Sequence, residues 1–173
     1  ATWSARRLIT QLTGKLAGAD IAEVVVDVHG VGYAVTVPLS THDRLPRPGA
    51  DVTLYTHLNV REDALQLYGF ATVEERRLFR LLLTVSGIGP RLALNVLSCL
   101  PVSGFCAAVA AEDTKALARI SGIGKRLAER LVVELRDRVE EIEPAAAIPG
   151  AVATEPVVSR EAQDAVAALE TLG

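Results

Sequence analysis

The chain has few of the residues that metal, redox and disulfide chemistry use. It contains two cysteines, three histidines and no methionine in 173 residues. Cys99 and Cys106 are too few for a disulfide framework, and the histidines are too scattered for a metal site. We therefore expect both cysteines to be small packing residues, and we expect neither a metal nor a cofactor.

Long apolar runs are also missing. The sequence has no stretch of 18 or more uncharged apolar residues, which excludes an ordinary membrane-spanning helix. Arg6 and Arg7 resemble the charged start of a signal peptide, but Gln11, Thr13 and Lys15 interrupt the apolar run that should follow. With no targeting segment visible, we expect a cytoplasmic protein.

Charge is unevenly distributed along the chain. The net charge of −3 argues weakly against nucleic acid as a partner. Residues 71–138, however, carry 11 basic and 7 acidic side chains, whereas residues 139–173 carry 1 basic and 7 acidic. Residues 1–70 are almost neutral, with 6 basic and 7 acidic. Because a local basic face is what binds phosphates, the middle of the chain is the candidate for an anionic partner.

Residues 8–70 show the period of two that is typical of strands. Gly30 and Gly32 indicate a tight hairpin between the second and third apolar sets, and Pro46, Pro48 and Gly49 interrupt the chain before the fourth. Five short strands in about 60 residues predict a small barrel, for which an OB-fold is a natural candidate. The five sets are Leu8, Thr10, Leu12, Gly14 and Leu16; Val24, Val26 and Val28; Tyr33, Val35 and Val37; Val52, Leu54, Thr56, Leu58 and Val60; and Leu65 and Leu67.

Residues 71–141 change to a helical period. Thr72 and Glu75 predict a capping box, and Leu78, Leu82 and Val85 continue the buried stripe of that helix. A later helix has a stripe of apolar residues four apart, namely Leu127, Leu131, Leu135 and Val139. We expect the charged residues of the first helix to form a solvated face, with Arg76, Arg77 and Arg80 paired with Glu74 and Glu75.

The last part of the chain predicts a linker and one further helix. Three prolines and a glycine interrupt residues 142–158, and Ser159 is a candidate N-cap for the helix that follows. We therefore expect an α+β multi-domain protein. Its predicted parts are an extension over residues 1–7, an OB-fold domain over 8–70, a tandem helical-hairpin domain over 71–141, a flexible linker over 142–158, and the first helix of an incomplete C-terminal domain over 159–173.

The most informative feature is an internal repeat. The segment 86–93 recurs 35 residues later as 121–128, with seven of eight positions identical. Only Pro90 and Lys125 differ between the two copies. Such a match indicates duplication of one physical unit. Each copy predicts a helix, a Gly-Ile-Gly turn and a second helix.

Each predicted turn is a candidate anion site. The glycines permit a tight turn and close approach by another backbone. The second helix of each copy begins with amide N–H groups that lack partners and with the positive end of its dipole, and both favour phosphate. We expect such contacts to read the DNA backbone rather than its base sequence. The basic side chains near these helix starts are Arg91, Lys125, Arg126 and Arg130.

These features are the helix-hairpin-helix motif in two copies, and they resemble the RuvA family, whose members bind four-way Holliday junctions. The resemblance covers roughly residues 8–141, and its motifs occur in the same order as in the family. They are Leu8–Gly14, Gly30–Tyr33, Val60–Ala64, Leu67–Phe70, both Gly-Ile-Gly turns, and Glu134–Asp137.

The resemblance implies a non-catalytic homotetrameric subunit that holds a junction open in DNA recombination and repair and in the SOS response to DNA damage. Either one tetramer or an octamer would sit on the DNA. The implied partners are the hexameric RuvB ATPase, which drives branch migration, and the RuvC resolvase. Glu62 and Asp63 match the family's acidic pin, which separates strands at the crossover. The residues implied to contact DNA are Gly87, Gly89, Arg91, Gly122, Gly124, Lys125, Arg126 and Arg130.

Other interpretations compete with this one. A nucleotide-dependent enzyme is disfavoured because Arg126 stands where the Walker pattern needs Ser or Thr, and because neither copy has the third glycine of a dinucleotide fingerprint. Glu62 and Asp63 are too few for a metal-dependent nuclease. A general duplex-binding scaffold stays open, since the hairpins alone would provide it. The turns could also pack helices without touching DNA, and a charged pair in a turn is usually only solvated.

Both ends depart from the family pattern. Leu8 stands where family members normally begin with methionine, so we expect residues 1–7 to be a gene-model extension and translation to begin at Leu8. Residues 159–173 supply only the first helix of the family's three-helix third domain. We therefore expect weak or absent stimulation of RuvB by this chain, with junction binding retained.

Overall fold

Five strands form a closed barrel in the N-terminal half of the chain, in a computed structural model that describes residues 8–142. The strands are β1 (Gln11–Ala19), β2 (Glu23–Val28), β3 (Val31–Thr36), β4 (Asp51–Val60) and β5 (Leu65–Phe70). Their order around the barrel is β1-β2-β3-β5-β4. Every pair is antiparallel except β3 with β5, which is parallel. The predicted five-stranded OB-fold barrel is therefore confirmed.

Alternation of apolar and polar residues turns one face of each strand into the barrel. In β1, Leu12 and Leu16 are buried, whereas Gln11, Thr13 and Lys15 between and beside them are exposed. The same alternation in the other strands completes one continuous core. That core consists of Leu12, Leu16, Val24, Val26, Val35, Val37, Val52, Leu54 and Leu67.

A two-residue turn joins β2 to β3. His29 and Gly30 both have positive φ angles, 52° and 91°, as the tight turns between twisted antiparallel strands require. The Gly30 amide donates a hydrogen bond to the Asp27 carboxylate at 2.7 Å. The predicted hairpin is confirmed, although Gly32 lies inside β3 rather than in the turn.

The outer ends of β4 and β5 extend beyond the barrel. β4 pairs with β1 only as far as Tyr55, and Val60 and Leu65 pair only with each other. Their side chains are 65% and 74% exposed, because a two-stranded ribbon has no further layer to cover it. Val60 and Leu65 therefore lie in the predicted strands but outside the barrel core. Leu8 lies outside β1 and is 81% exposed, so its place in the first strand is wrong.

Helices make up the rest of the described chain. They are α1 (Leu39–His42), α2 (Val73–Leu82), α3 (Pro90–Cys99), α4 (Val102–Ala110), α5 (Thr114–Leu117), α6 (Lys125–Leu135) and a final 3-10 helix, Val139–Ile142. A second core lies among them, with Phe79, Phe105, Leu117 and Leu131 fully buried. Ile142, the first residue of the predicted linker, still packs in this core. The predicted extension over 1–7, the rest of the linker and the helix after residue 159 lie outside the described residues.

The structure differs from the predicted helices in their ends and in their number. α2 ends at Leu82, so Val85 is buried but belongs to the turn that follows the helix. α1 was not predicted, because its four residues carry no helical period. It begins after Pro38 and buries Thr41 against the start of α2.

The start of α2 connects α1 and β5 through hydrogen bonds. Thr72 Oγ1 accepts from the Glu75 amide at 3.2 Å, which is one half of the predicted capping box; in place of the other half, the Glu75 side chain turns to the residue before the N-cap and to α1. The buried Glu75 carboxylate accepts from the Ala71 amide at 3.0 Å and from the Thr41 hydroxyl at 3.1 Å. A buried carboxylate needs such donors. Leaving a neutral polar group buried without a hydrogen bond costs about 1–3 kcal/mol, and leaving a charged group so costs more.

Two arginines of α2 are partly buried and contact the barrel. Arg76 donates to the Thr10 carbonyl oxygen, and its guanidinium carbon lies 5.5 Å from the centre of the Tyr55 ring. Arg80 donates from Nε to His57 Nδ1 at 3.4 Å. The expected solvated face is therefore wrong for Arg76 and Arg80, because the flank of α2 packs along β4.

Within residues 8–142, no single helix is long and apolar enough to cross a membrane; α3 and α4 meet that length and composition only as a pair, which bends by 97°. No group of three or more His, Cys, Asp or Glu residues in this part of the chain could hold a metal. Both cysteines are free thiols. Cys106 packs partly against the helical core, and burial raises its pKa. Cys99 is exposed at the end of α3, so the expectation that it packs is wrong.

Candidate nucleic-acid interface

The two copies of the repeat form two turns with the same backbone geometry. Gly87 and Gly122 have φ angles of +94° and +91°, a region that other residues adopt only with strain. Ile88 and Ile123 between the glycines are 6% and 3% exposed and plug the gap between their helices. Each isoleucine amide donates to the carbonyl three residues earlier, at 3.1 Å and 2.9 Å. The predicted hairpins are therefore formed, and their glycines lie on the surface.

Both second helices begin without a capping side chain. Gly89 is the N-cap of α3 and Gly124 is the N-cap of α6, and neither helix has an acidic residue in its first turn. The first intrahelical bonds run from Ala93 to Gly89 at 3.0 Å and from Ala128 to Gly124 at 2.9 Å. The earlier amides therefore have no intrahelical acceptor. This arrangement leaves donors and the positive helix end facing outward, which is what a phosphate needs.

Three exposed cations surround these helix starts. They are Arg91 in the first turn of α3, and Lys125 and Arg126 in the first turn of α6. None of the three forms an ion pair with another described residue. Their charge is therefore available to an external anion, and each hairpin carries at least one of these cations.

Arg130, which the sequence groups with these cations, has partners inside the protein. Its Nη1 donates to the Ser86 carbonyl oxygen at 3.1 Å, and its Nε lies 3.8 Å from the Glu134 carboxylate. About half of the side chain is exposed. Arg130 thus differs from Arg91, Lys125 and Arg126, because its guanidinium joins α6 to the other hairpin.

The two hairpins pack closely against each other. A Cβ atom on Gly122 would lie 2.8 Å from Leu92 Cδ1, and one on Gly87 would lie 3.7 Å from Leu127 Cδ1. Leu92 and Leu127 occupy the same position in the two copies, 35 residues apart. Each second helix therefore covers the turn of the opposite copy. Both glycines are needed for the turn itself, and Gly122 is also needed for the close approach of Leu92.

Sequence reasoning missed one residue at this site. Asn95 of α3 donates from Nδ2 to the Ser121 carbonyl oxygen at 2.6 Å, across to the opposite hairpin. It also lines a cleft of about 860 Å³ beside the two turns, together with Ile21 of the β1–β2 loop and Leu39 of α1. The repeat could have identified Asn95, because it lies 35 residues before Arg130 and so occupies the same position in the first copy. The correspondence is hidden because the two residue types differ.

The predicted acidic pin lies at the tip of the β4–β5 ribbon. Glu62 and Asp63 are exposed there, and the turn is closed by a hydrogen bond from the Arg61 amide to the Ala64 carbonyl at 2.8 Å. The ribbon carries the two carboxylates away from the barrel core. A tip with this charge repels phosphate groups at short range.

Comparison with known proteins agrees with this architecture. Residues 9–69 match the family model described as the RuvA N terminal domain, and residues 79–137 match the SAM-like helix-hairpin-helix tandem. The chain is 49% identical over 174 aligned positions to a protein of Pseudomonas syringae pv. syringae, with 96% of this chain and 84% of the relative covered.

Two further relatives give the same result. A protein of Aromatoleum aromaticum is 49% identical, with 96% of this chain and 83% of the relative covered. One of Stutzerimonas stutzeri is 47% identical, with 96% and 84% covered. All three carry the name Holliday junction branch migration complex subunit RuvA. With this identity over nearly its whole length and both domain models matched in order, the chain belongs to the RuvA family.

Proposed function

We propose that this chain binds Holliday junction DNA through phosphate contacts that do not depend on base sequence. It acts as a homotetramer, holds the junction open, and brings the RuvB ATPase to it for branch migration in recombination and repair. The chain itself is not an enzyme. The names of its relatives, which are subunits of a branch migration complex, support this role.

One observation carries the proposal, and it is the pair of uncapped helix starts beside exposed cations. Phosphate accepts hydrogen bonds from such amides, and cations add the salt-dependent part of the affinity. Neither kind of contact distinguishes one base pair from another. The residues proposed to face phosphates are Gly87, Gly89 and Arg91 in the first hairpin, and Gly122, Gly124, Lys125 and Arg126 in the second.

The acidic pin would supply the preference for a junction over duplex. In a tetramer, Glu62 and Asp63 of four subunits would place eight carboxylates around the crossover. Their repulsion disfavours phosphates at the centre, while the basic hairpins attract the four arms. Attraction and repulsion together select the shape of the DNA. The two domains would therefore have separate roles. Residues 8–70 carry the pin, and residues 71–141 carry the hairpins.

Partners follow from the same proposal. A tetramer covering one side of an open junction leaves the opposite side for a second tetramer or for the RuvC resolvase. RuvB would then drive the arms of the junction through the complex. These assignments rest on family membership.

Competition between a synthetic four-way junction and a linear duplex of the same length and arm sequence tests the function. We expect a much tighter complex with the junction, with both affinities falling steeply as salt rises. The matched variant Glu62→Lys with Asp63→Lys should keep DNA binding and lose much of the junction preference. A junction-to-duplex affinity ratio near one for the natural chain would refute the proposal and favour a general duplex scaffold. A ratio that the double variant leaves unchanged would refute the pin.

A further inference from the structure

The two hairpins exchange the same hydrogen bond in opposite directions. Asn95 of α3 donates to the Ser121 carbonyl oxygen at 2.6 Å, and Arg130 of α6 donates to the Ser86 carbonyl oxygen at 3.1 Å. Asn95 and Arg130 are 35 residues apart, and so are Ser86 and Ser121. Together with the matching contacts of Leu92 and Leu127 described above, this reciprocity indicates an approximate two-fold relation between the copies, as in an isologous interface.

The acceptor carbonyls belong to the peptide groups that enter the two turns. The Ser86 carbonyl and the Gly87 N–H lie in one peptide plane, as do the Ser121 carbonyl and the Gly122 N–H. In a trans peptide these two groups point to opposite sides of the chain, and the described residues contain no cis peptide bond. Holding the carbonyl toward the opposite hairpin therefore turns the glycine N–H outward. Neither glycine amide donates to an acceptor within residues 8–142.

We propose that Asn95 and Arg130 are reciprocal positioning residues, each of which fixes the turn of the opposite hairpin so that its glycine amide faces a DNA phosphate. The inference rests on the proposed function and adds how the two phosphate sites are kept in one relative orientation. It also gives Arg130 a different task from Arg91, Lys125 and Arg126. Its guanidinium acts through Ser86, and Glu134 offsets part of its charge.

A pair of variants with the same charge change tests the role of Arg130. Arg130→Asn places at this position the residue that the first copy uses for the same bond, whereas Arg130→Leu removes the donor. We expect Arg130→Asn to bind a four-way junction roughly two- to tenfold more tightly than Arg130→Leu, the range for one hydrogen bond. Leucine is the better helix former, so helix stability would favour the opposite order. Thermal unfolding of both variants shows whether they fold.

Asn95→Leu tests the first copy, since it keeps the size of the side chain and removes the donor without changing charge. We expect roughly two- to tenfold weaker junction binding and an unchanged slope of log affinity against log salt. The slope is informative because a lost cation–phosphate contact lowers its magnitude by about 0.9.

Selective ¹⁵N-glycine labelling of the full chain gives a readout that general destabilisation would not move. On adding junction DNA, the amide signals of Gly87 and Gly122 should both shift in the natural protein. Arg130→Leu should diminish the response of Gly87 and leave that of Gly122, whereas Asn95→Leu should do the reverse.

The outcomes separate this inference from the proposed function. Failure of the natural chain to bind a junction would refute both. Junction binding with equal affinities for Arg130→Asn and Arg130→Leu would overturn the positioning role and leave the function intact. So would a response lost in the variant's own hairpin, or lost equally in both hairpins.

Discussion

Alanine at the first glycine of each turn separates backbone strain from packing, because the two glycines share one conformation but differ in their neighbours. Both lie near φ +90°, where an alanine costs about 1–2 kcal/mol. A Cβ atom on Gly87 would lie 3.7 Å from Leu127 Cδ1, which is an ordinary contact. On Gly122 it would lie 2.8 Å from Leu92 Cδ1, so that the Leu92 side chain must shift. That displacement adds about 0.5–1.5 kcal/mol.

We therefore expect Gly87→Ala to lower the free energy of unfolding by about 1–2 kcal/mol, and Gly122→Ala to lower it by about 1.5–3.5 kcal/mol. Urea unfolding followed by circular dichroism measures both values. With a slope of about 2 kcal/mol per molar urea, the midpoints should fall by roughly 0.5–1 M and 0.75–1.75 M. Gly18→Ala in β1 is a matched control, since it has a negative or extended φ and open space around it. Equal losses for the two turn variants, or a larger loss for Gly87→Ala, would refute the reasoning.

Three further predictions concern binding, stability and pH. Lys125→Glu should weaken binding to junctions of unrelated base sequence by the same factor in a gel-shift titration, whereas Arg47→Glu in the loop before β4 should not; dependence on base sequence would contradict phosphate reading. Thr41→Val removes one donor to the buried carboxylate at the start of α2 and should cost about 1–3 kcal/mol in urea unfolding, and a cost near zero would count against that network. The pKa of His57 is lowered first by burial and then by the positive charges of Arg80 and Arg76. As pH falls, the unfolded chain therefore protonates this histidine before the folded chain does. The contribution of His57 to stability is complete above about pH 6.5 and is lost as pH falls through the lower pKa of the folded state. A His57→Gln variant should show a smaller loss of stability between pH 7.5 and 5.5, and an unchanged loss would argue against this linkage.

The sequence predicts the fold well wherever one periodicity corresponds to one buried face. Residues such as Leu12 and Leu16 alternate with polar neighbours and lie inside the barrel. The same alternation places Val60 and Leu65 in strands but does not show that they are exposed, because alternation cannot show where a strand leaves the barrel and loses the layer that would cover it. Leu8 is misassigned for a related reason, since nothing in the local pattern marks the end of pairing.

Contacts between the barrel and the helices were beyond sequence reasoning. A run of arginines and glutamates at the start of a helix is usually solvated, and only the fold brings Thr10 and His57 to Arg76 and Arg80. The buried position of Glu75 depends in the same way on α1, which has no sequence period of its own.

The candidate site could be predicted in its parts and not in its internal connections. The repeat identifies both turns and the cations beside them, because identical segments fold alike. It does not show that Arg130 and Asn95 cross to the opposite copy, since reciprocal packing is a property of the pair. Hydrogen-bond donors at corresponding positions of a repeat, such as Asn95 and Arg130, are the sequence feature that indicates such reciprocal bonds.

The salt dependence of junction binding tests the central claim most directly. Affinity for two junctions of unrelated sequence should be measured across a salt series for the natural chain and for a variant with Arg91→Ala, Lys125→Ala and Arg126→Ala. We expect equal affinity for the two junctions, and a slope of log affinity against log salt whose magnitude falls by about 0.9 for every phosphate contact that the variant loses. A slope that the three substitutions leave unchanged would contradict the assignment of the two hairpins as the surface that binds DNA.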